Sequence, residues 1–248
     1  MKLTKAFPAG IALILTLAAC TALPPKGTPA LKAGNSTAAL ATAVPGRLPI
    51  QDAARNFAQV IARVEPIAES LCRSQPGLRN CDFQIWVDTD AELPPNAYQT
   101  LDQSGRPQIV FTLALIAEAR NPDELAFVLG HETAHHIEGH LAETRQEATN
   151  AAIIGGLLAS ASGASDSAIE RAQKIGAEIG ALCFSKGHEL EADRLGTLIA
   201  YQAGFDPVLG ARFFARLPDP GDGFLGSHPG NAQRQAVVAQ TYAEIATR

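Results

Sequence analysis

Asn121-Pro122-Asp123-Glu124-Leu125-Ala126-Phe127-Val128-Leu129-Gly130-His131-Glu132-Thr133-Ala134-His135 is the stretch whose reading decides the fold. Asn121 suits a helix N-cap, Pro122 the first helical position, and Glu124 the third position of a capping box. Apolar residues follow on nearly every side, which predicts a buried helix rather than a surface one. At about 100° per residue, His131 and His135 project about 40° apart, so both imidazoles can reach one metal ion. Glu132 sits beside them, placed to take a proton from water. That is the chemistry carried by H-E-x-x-H on a helix. A polar His-Glu-His cluster inside an apolar helix is costly unless something satisfies it, and this context favours a metal over a chance pattern.

The extended metzincin signature is excluded by spacing. It would need Gly at 138 and His at 141, but Glu138 and Leu141 stand there. A third protein ligand must come from elsewhere in the chain.

Working outward, the 248 residues allow one to two domains and a sizeable core. The formal charge of -5 carries no basic surplus, so nucleic acid is not an expected partner. Residues 1–19 read as a signal peptide, with Lys2 and Lys5 ahead of the apolar run Ile11–Leu17, which is too short to span a bilayer. Leu17-Ala18-Ala19-Cys20 resembles the lipobox of bacterial lipoproteins, in which Cys20 becomes the lipidated first residue. The other reading is a plain secretory signal. Residues 20–48, rich in Pro, Ala, Gly and Thr, read as a flexible tether. Thr21 after Cys20 favours the outer membrane, by resemblance to enterobacterial lipoproteins.

Residues 49–248 form the expected folded domain. Ile50, Ala53, Phe57, Val60, Ile61, Val64, Ala68 and Leu71 recur at helical spacing, and Pro66 is expected to kink or split that helix. Cys72 and Cys81 bracket a Gly/Pro turn before the strand-like run Asp82–Asp88. With Cys20 taken by lipid in an oxidising compartment, they are expected to form a disulfide worth ~2–3 kcal/mol. The alternative is two free thiols. Cys183 is left over and is expected to be buried in a helix. Asn96–Leu101 and Pro107–Phe111 read as a hairpin around Gly105, and Thr112–Arg120 as a short helix.

Glu143–Cys183 reads as two helices around the small-residue linker Ser160–Ser167, either covering a cleft or packing into the core. Its apolar centre Ala151–Ala159 is too short to cross a membrane. A further helix begins near Gly187 and ends at Ala203-Gly204, and Asp206-Pro207 restarts one. Glu189 and Asp193 share a face of it. A last helix starts near Asn231.

With H-E-x-x-H, the later Glu189-Leu190-Glu191-Ala192-Asp193-Arg194-Leu195-Gly196 and Ser227-His228-Pro229, the chain resembles the HtpX/BepA/CAAX-prenyl-protease family of zinc metallopeptidases (gluzincins). The resemblance covers roughly Asn96–Arg234 and implies a mostly helical α+β fold, with a small antiparallel sheet beside the metal helix. It implies one Zn2+ held by His131, His135 and Glu189, with Glu132 as general base. Asp193 and His140 would support the ligands from behind, and His228 would stand near the open side of the metal, as a latch or an oxyanion donor. His136 departs from the pattern and reads as a core or supporting group. His188 is a rival ligand whose side chain points about 100° from the Glu189 face. Long membrane-spanning segments are missing, as expected of a lipid-tethered periplasmic member. The implied function is cleavage of unfolded or misassembled envelope proteins, with outer-membrane assembly machinery as a possible partner. The alternative is a chaperone-like factor on a mostly latent peptidase scaffold.

Overall fold

The computed structural model describes residues 48–78, 80–180, 186–217 and 229–247. Cys20, Cys183 and His228 lie outside them.

Helix α1, Ile50–Ser74, runs the full length of the first apolar repeat. Val60, Val64, Ala68 and Cys72 form one buried stripe at four-residue spacing. Pro66 does not split it. Pro66 and Ala62, whose carbonyl loses its helical partner, are both exposed, so water can satisfy that group while the buried stripe stays continuous. Cys72 is joined to Cys81, with the Cα atoms 5.6 Å apart, which clips the end of α1 to the segment entering the sheet.

The sheet holds β1 (Gln84–Asp88), β2 (Ala97–Leu101) and β3 (Pro107–Thr112) in the order β1-β3-β2. β2 and β3 form the expected antiparallel hairpin, whose turn is closed by Asp102 Oδ1 accepting from the Ser104 and Arg106 amides at 2.7 and 2.9 Å. The sheet is nevertheless mixed rather than antiparallel, because β1 pairs parallel to β3. The long connection from Asp88 to Ala97 leaves room for β3 to insert between β1 and β2. β3 takes that central place because Ile109 and Phe111 are its fully buried pair.

A short helix, α2 (Leu113–Glu118), is capped by Thr112 and leads to α3, Pro122–Ile137. The Asn121 side chain accepts from the Glu124 amide at 2.9 Å, as expected of an N-cap. The capping box is not closed on Asn121. Glu124 instead accepts from the Arg120 amide at 2.8 Å and receives the Arg216 guanidinium at 2.7 and 2.6 Å. Leu125, Ala126, Phe127, Leu129 and Ala134 are all buried, so α3 is the central helix of the core.

Past Gly139, whose φ of 80° breaks the helical path, α4 (His140–Ala161) and α5 (Asp166–Gly180) form an antiparallel hairpin. It is not part of the core: α4 buries only His140 and Gly156, and α5 buries no residue. Helix α6, Lys186–Gln202, then returns across α3. The crossing is backbone on backbone, since a Cβ on Gly196 would lie 2.8 Å from the His131 amide nitrogen. Gly204, at φ 79°, ends the path of α6, as expected of a C′ glycine. Asp206 caps α7 (Pro207–Gly210), a 3-10 turn spans Ala211–Arg216, and α8 (Asn231–Ala246) packs on α6.

Candidate metal centre

The two histidines and Glu189 meet because α6 crosses α3 one residue before His131. His131 Nε2 lies 3.0 Å from His135 Nε2 and 3.5 Å from Glu189 Oε2, and His135 Nε2 lies 3.4 Å from Glu189 Oε1. All three side chains are buried. Donors held about 2.0–2.1 Å from a tetrahedral ion stand about 3.3–3.4 Å apart, so this trio has the dimensions of one face of such a site. It is the one group among the described residues whose donor atoms converge in this way.

Each imidazole is fixed from behind. Asp193 Oδ1 lies 3.0 Å from His131 Nδ1, and the Arg234 guanidinium holds Asp193 with two hydrogen bonds of 2.8 and 2.7 Å. Arg234 is buried too, and it stacks 3.7 Å from the centre of the Phe214 ring. On the other side, His135 Nδ1 lies 2.8 Å from His140 Nδ1, and His140 Nε2 lies 3.3 Å from Glu191 Oε2. A carboxylate only accepts, so the proton of neutral His140 belongs on Nε2, and its Nδ1 accepts from His135. His135 Nε2 is then left with a lone pair toward the other donors, the tautomer a metal ligand needs.

The two imidazoles differ in charge. Burial keeps His135 neutral, with its pKa lowered to about 3 despite Glu189. Burial and the Arg234 charge also oppose protonation of His131, yet its hydrogen bonds to Asp193 and Glu189 prevail and raise its pKa to about 9. Burial works against ionisation of Asp193, but the hydrogen bonds from Arg234 and His131 outweigh it and lower its pKa.

Glu132 follows His131 on α3, is buried, and acts electrostatically on Arg234. His188 is not among the converging donors: its Nε2 pairs with Glu143 at 2.9 Å and its ring stacks on His140 at 4.3 Å. His136 points away from the centre, with Nε2 3.0 Å from the Asn80 carbonyl and its ring edge-on to Phe83.

Residues 54–241 match the sequence profile of peptidase family M48. The chain belongs to that family. Its relatives include the beta-barrel assembly-enhancing protease of Yersinia pestis, 35% identical over 118 residues, which are 45% of this chain and 24% of that protein. The putative beta-barrel assembly-enhancing protease of Vibrio cholerae is 38% identical over 112 residues, 42% of this chain and 23% of its own length. The Escherichia coli protein named as a beta-barrel assembly-enhancing protease is 32% identical over 118 residues. The matched part is about a quarter of these relatives' length.

Two residues of this M48 centre escape a reading of the sequence alone. Arg234 sits four residues before buried Val238 on α8, and only the packing of α8 on α6 reveals its pairing with Asp193. Glu191 lies between Glu189 and Asp193 in the sequence, and its half-exposed carboxylate reads as solvated until His140 is placed beside it.

Proposed function

We propose that the chain is a zinc-dependent metalloendopeptidase, tethered through lipidated Cys20 at the outer membrane and facing the periplasm. Its proposed substrates are unfolded or misassembled envelope proteins. One observation carries the catalytic part: two imidazoles and a carboxylate present a tetrahedral face, and both imidazoles are oriented from behind by Asp193 and His140. Two histidines and a glutamate are a donor set that zinc takes in peptidases.

His131, His135 and Glu189 would hold the ion, which when bound supplies Lewis acidity that acidifies water and polarises the scissile carbonyl. Glu132 would take the proton from the attacking water and carry it to the leaving amine. Asp193, held by Arg234, keeps the His131 ring in place, and His140 keeps the His135 tautomer. β2 is an edge strand that packs against α3, so its free side can pair with an extended peptide. His228, outside the described residues, is proposed to stand over the open side of the centre. The envelope setting rests on Cys20 in its lipobox-like context and on the relatives named as beta-barrel assembly-enhancing proteases.

The test combines metal analysis with degradation of unfolded casein by wild type and Glu132→Gln. The variant should keep its metal and lose ~10²–10⁴-fold in rate, since only the proton carrier is removed. Equal rates for the two proteins, or full activity after chelation, would refute the mechanism.

A further inference from the structure

The α4–α5 hairpin is built with its small residues inside and its large apolar residues outside. The helices touch through Gly155, Gly156, Gly176 and Gly180; a Cβ on Gly155 would lie 2.5 Å from the Ala172 carbonyl oxygen, and one on Gly180 would lie 2.6 Å from that of Glu147. Ile153, Ile154, Leu157, Leu158, Ile175 and Ile179 are each more than half exposed, from 53% to 67%. With the contact line set by these glycines and about 100° per residue, Ile154 and Leu158 of α4 fall on the same face as Ile175 and Ile179 of α5. Ile153 and Leu157 continue that surface around the outer edge of α4. No charged residue occurs from Ala148 to Ser165. A contiguous apolar face of this kind marks an interaction site rather than ordinary surface.

The chain outside the described residues indicates what covers it. Twenty-seven residues lie between Cys20 and Leu48, and a chain of that length reaches at most about 90–100 Å even when fully extended. Tethering keeps the domain, and so the hairpin, within reach of one bilayer surface, where even weak insertion is favoured by effective concentration. No helix among the described residues is long and apolar enough to cross a membrane, so contact is interfacial. Segment 140–180 carries five acidic and three basic residues, so apolar insertion rather than attraction to anionic lipid must supply the binding.

We propose that the Ile154–Leu158–Ile175–Ile179 face of the α4–α5 hairpin lies in the interfacial layer of the membrane to which the chain is tethered. The inference rests on the reading that Cys20 is lipidated. The hairpin lies flat, with its Ile and Leu side chains about 5–10 Å into the headgroup and acyl boundary. Because it connects the two helices that carry the metal donors, this docking also fixes how the candidate metal centre faces the bilayer.

The test uses the lipidated full chain, purified and reconstituted into phosphatidylcholine–phosphatidylglycerol vesicles. An environment-sensitive fluorophore is placed in turn at Leu157→Cys, Ile175→Cys and, as a control at an exposed position of α8, Gln240→Cys, each with Cys183→Ser. Nitroxide-bearing lipid should quench the first two about two-fold or more and leave the third nearly unchanged, and 0.5 M salt should not alter this. Ile154→Asp with Leu158→Asp should abolish the quenching at 157 with helicity unchanged, because both positions are exposed. If the chain floats with vesicles but position 157 is not quenched, the anchor stands and the hairpin proposal falls. If the chain does not float and Cys20→Ser behaves identically, the anchor reading fails and this inference with it. A blue-shifted but unquenched label on a protein of doubled mass would give the face to a second copy and overturn the proposal.

Discussion

Replacing Gly196 by Ala tests whether the helix crossing sets the metal donors. The added Cβ would stand 2.8 Å from the His131 amide nitrogen, whereas ordinary contact begins near 3.4 Å, so α6 must retreat by about 0.6 Å. Glu189 is seven residues away on the same helix, about 10 Å along its axis, and a rigid retreat carries its carboxylate with it. Metal–ligand distances tolerate about 0.2 Å, so the donor face opens beyond what an ion can bridge without strain. The expected result is metal affinity weakened ~10–100-fold, the scale seen when groups that position metal ligands are lost. Overpacking should cost ~1–3 kcal/mol, offset by the ~0.5–1 kcal/mol that Ala gains over Gly in a helix. Competition with a chromophoric chelator reads the affinity, and chemical denaturation the stability. Gly155→Ala is the control. Its Cβ would meet the Ala172 carbonyl oxygen at 2.5 Å, a comparable clash in the hairpin, and it should disturb stability without moving the affinity. Native affinity in Gly196→Ala, or an equal loss in both variants, would refute the reasoning.

Two further expectations concern the surroundings of the centre. Arg234→Met leaves Asp193 buried beside His131 without its cation and should cost ~3–5 kcal/mol in denaturant unfolding, whereas Arg234→Met with Asp193→Leu should recover much of that; a single variant as stable as wild type contradicts the pairing. His228→Ala should raise basal cleavage if His228 latches the centre, or lower kcat ~10²–10³-fold if it stabilises the oxyanion; an unchanged rate removes both roles.

The legible parts of this chain were those in which local pattern and tertiary demand coincide. Asn121-Pro122 and the continuous apolarity from Leu125 to Leu129 specify a capped, buried helix with little help from the rest of the fold. Glu189 and Asp193 share a helix face by spacing alone, but bringing that face to His131 needs the Gly130–Gly196 crossing, which neither glycine announces. The parallel pairing of β1 with β3 was hidden because strand order depends on where a long connection lets β3 insert, not on the strands themselves. Pro66 misled for a related reason. Its cost depends on whether the orphaned carbonyl faces water, and exposure is a property of the packed helix. Arg234 was hidden most completely, since a buried guanidinium is rare unless paired, and its partner lies on another helix.

The charges enclosed at the centre argue for a divalent ion and yield a last prediction. Counted formally, Glu132, Glu189 and Asp193 place three negative charges among buried side chains, and Arg234 supplies one positive charge. With neutral imidazoles the cluster stands at minus two, and a proton on His131 brings it only to minus one. A divalent cation brings it to zero, and burying a net charge is what makes such clusters costly. Chelation should therefore destabilise the protein, and restoring metal at about a thousand times its Kd should return ~4 kcal/mol. The same accounting distinguishes a charge effect from simple ligation. Glu132→Gln removes one buried charge without removing a donor, so the metal-free variant should melt above metal-free wild type. The difference between metal-loaded and metal-free forms should also be smaller in the variant. Calorimetry on the four samples decides this: if metal-free Glu132→Gln melts at or below metal-free wild type, charge repulsion is not what the ion relieves.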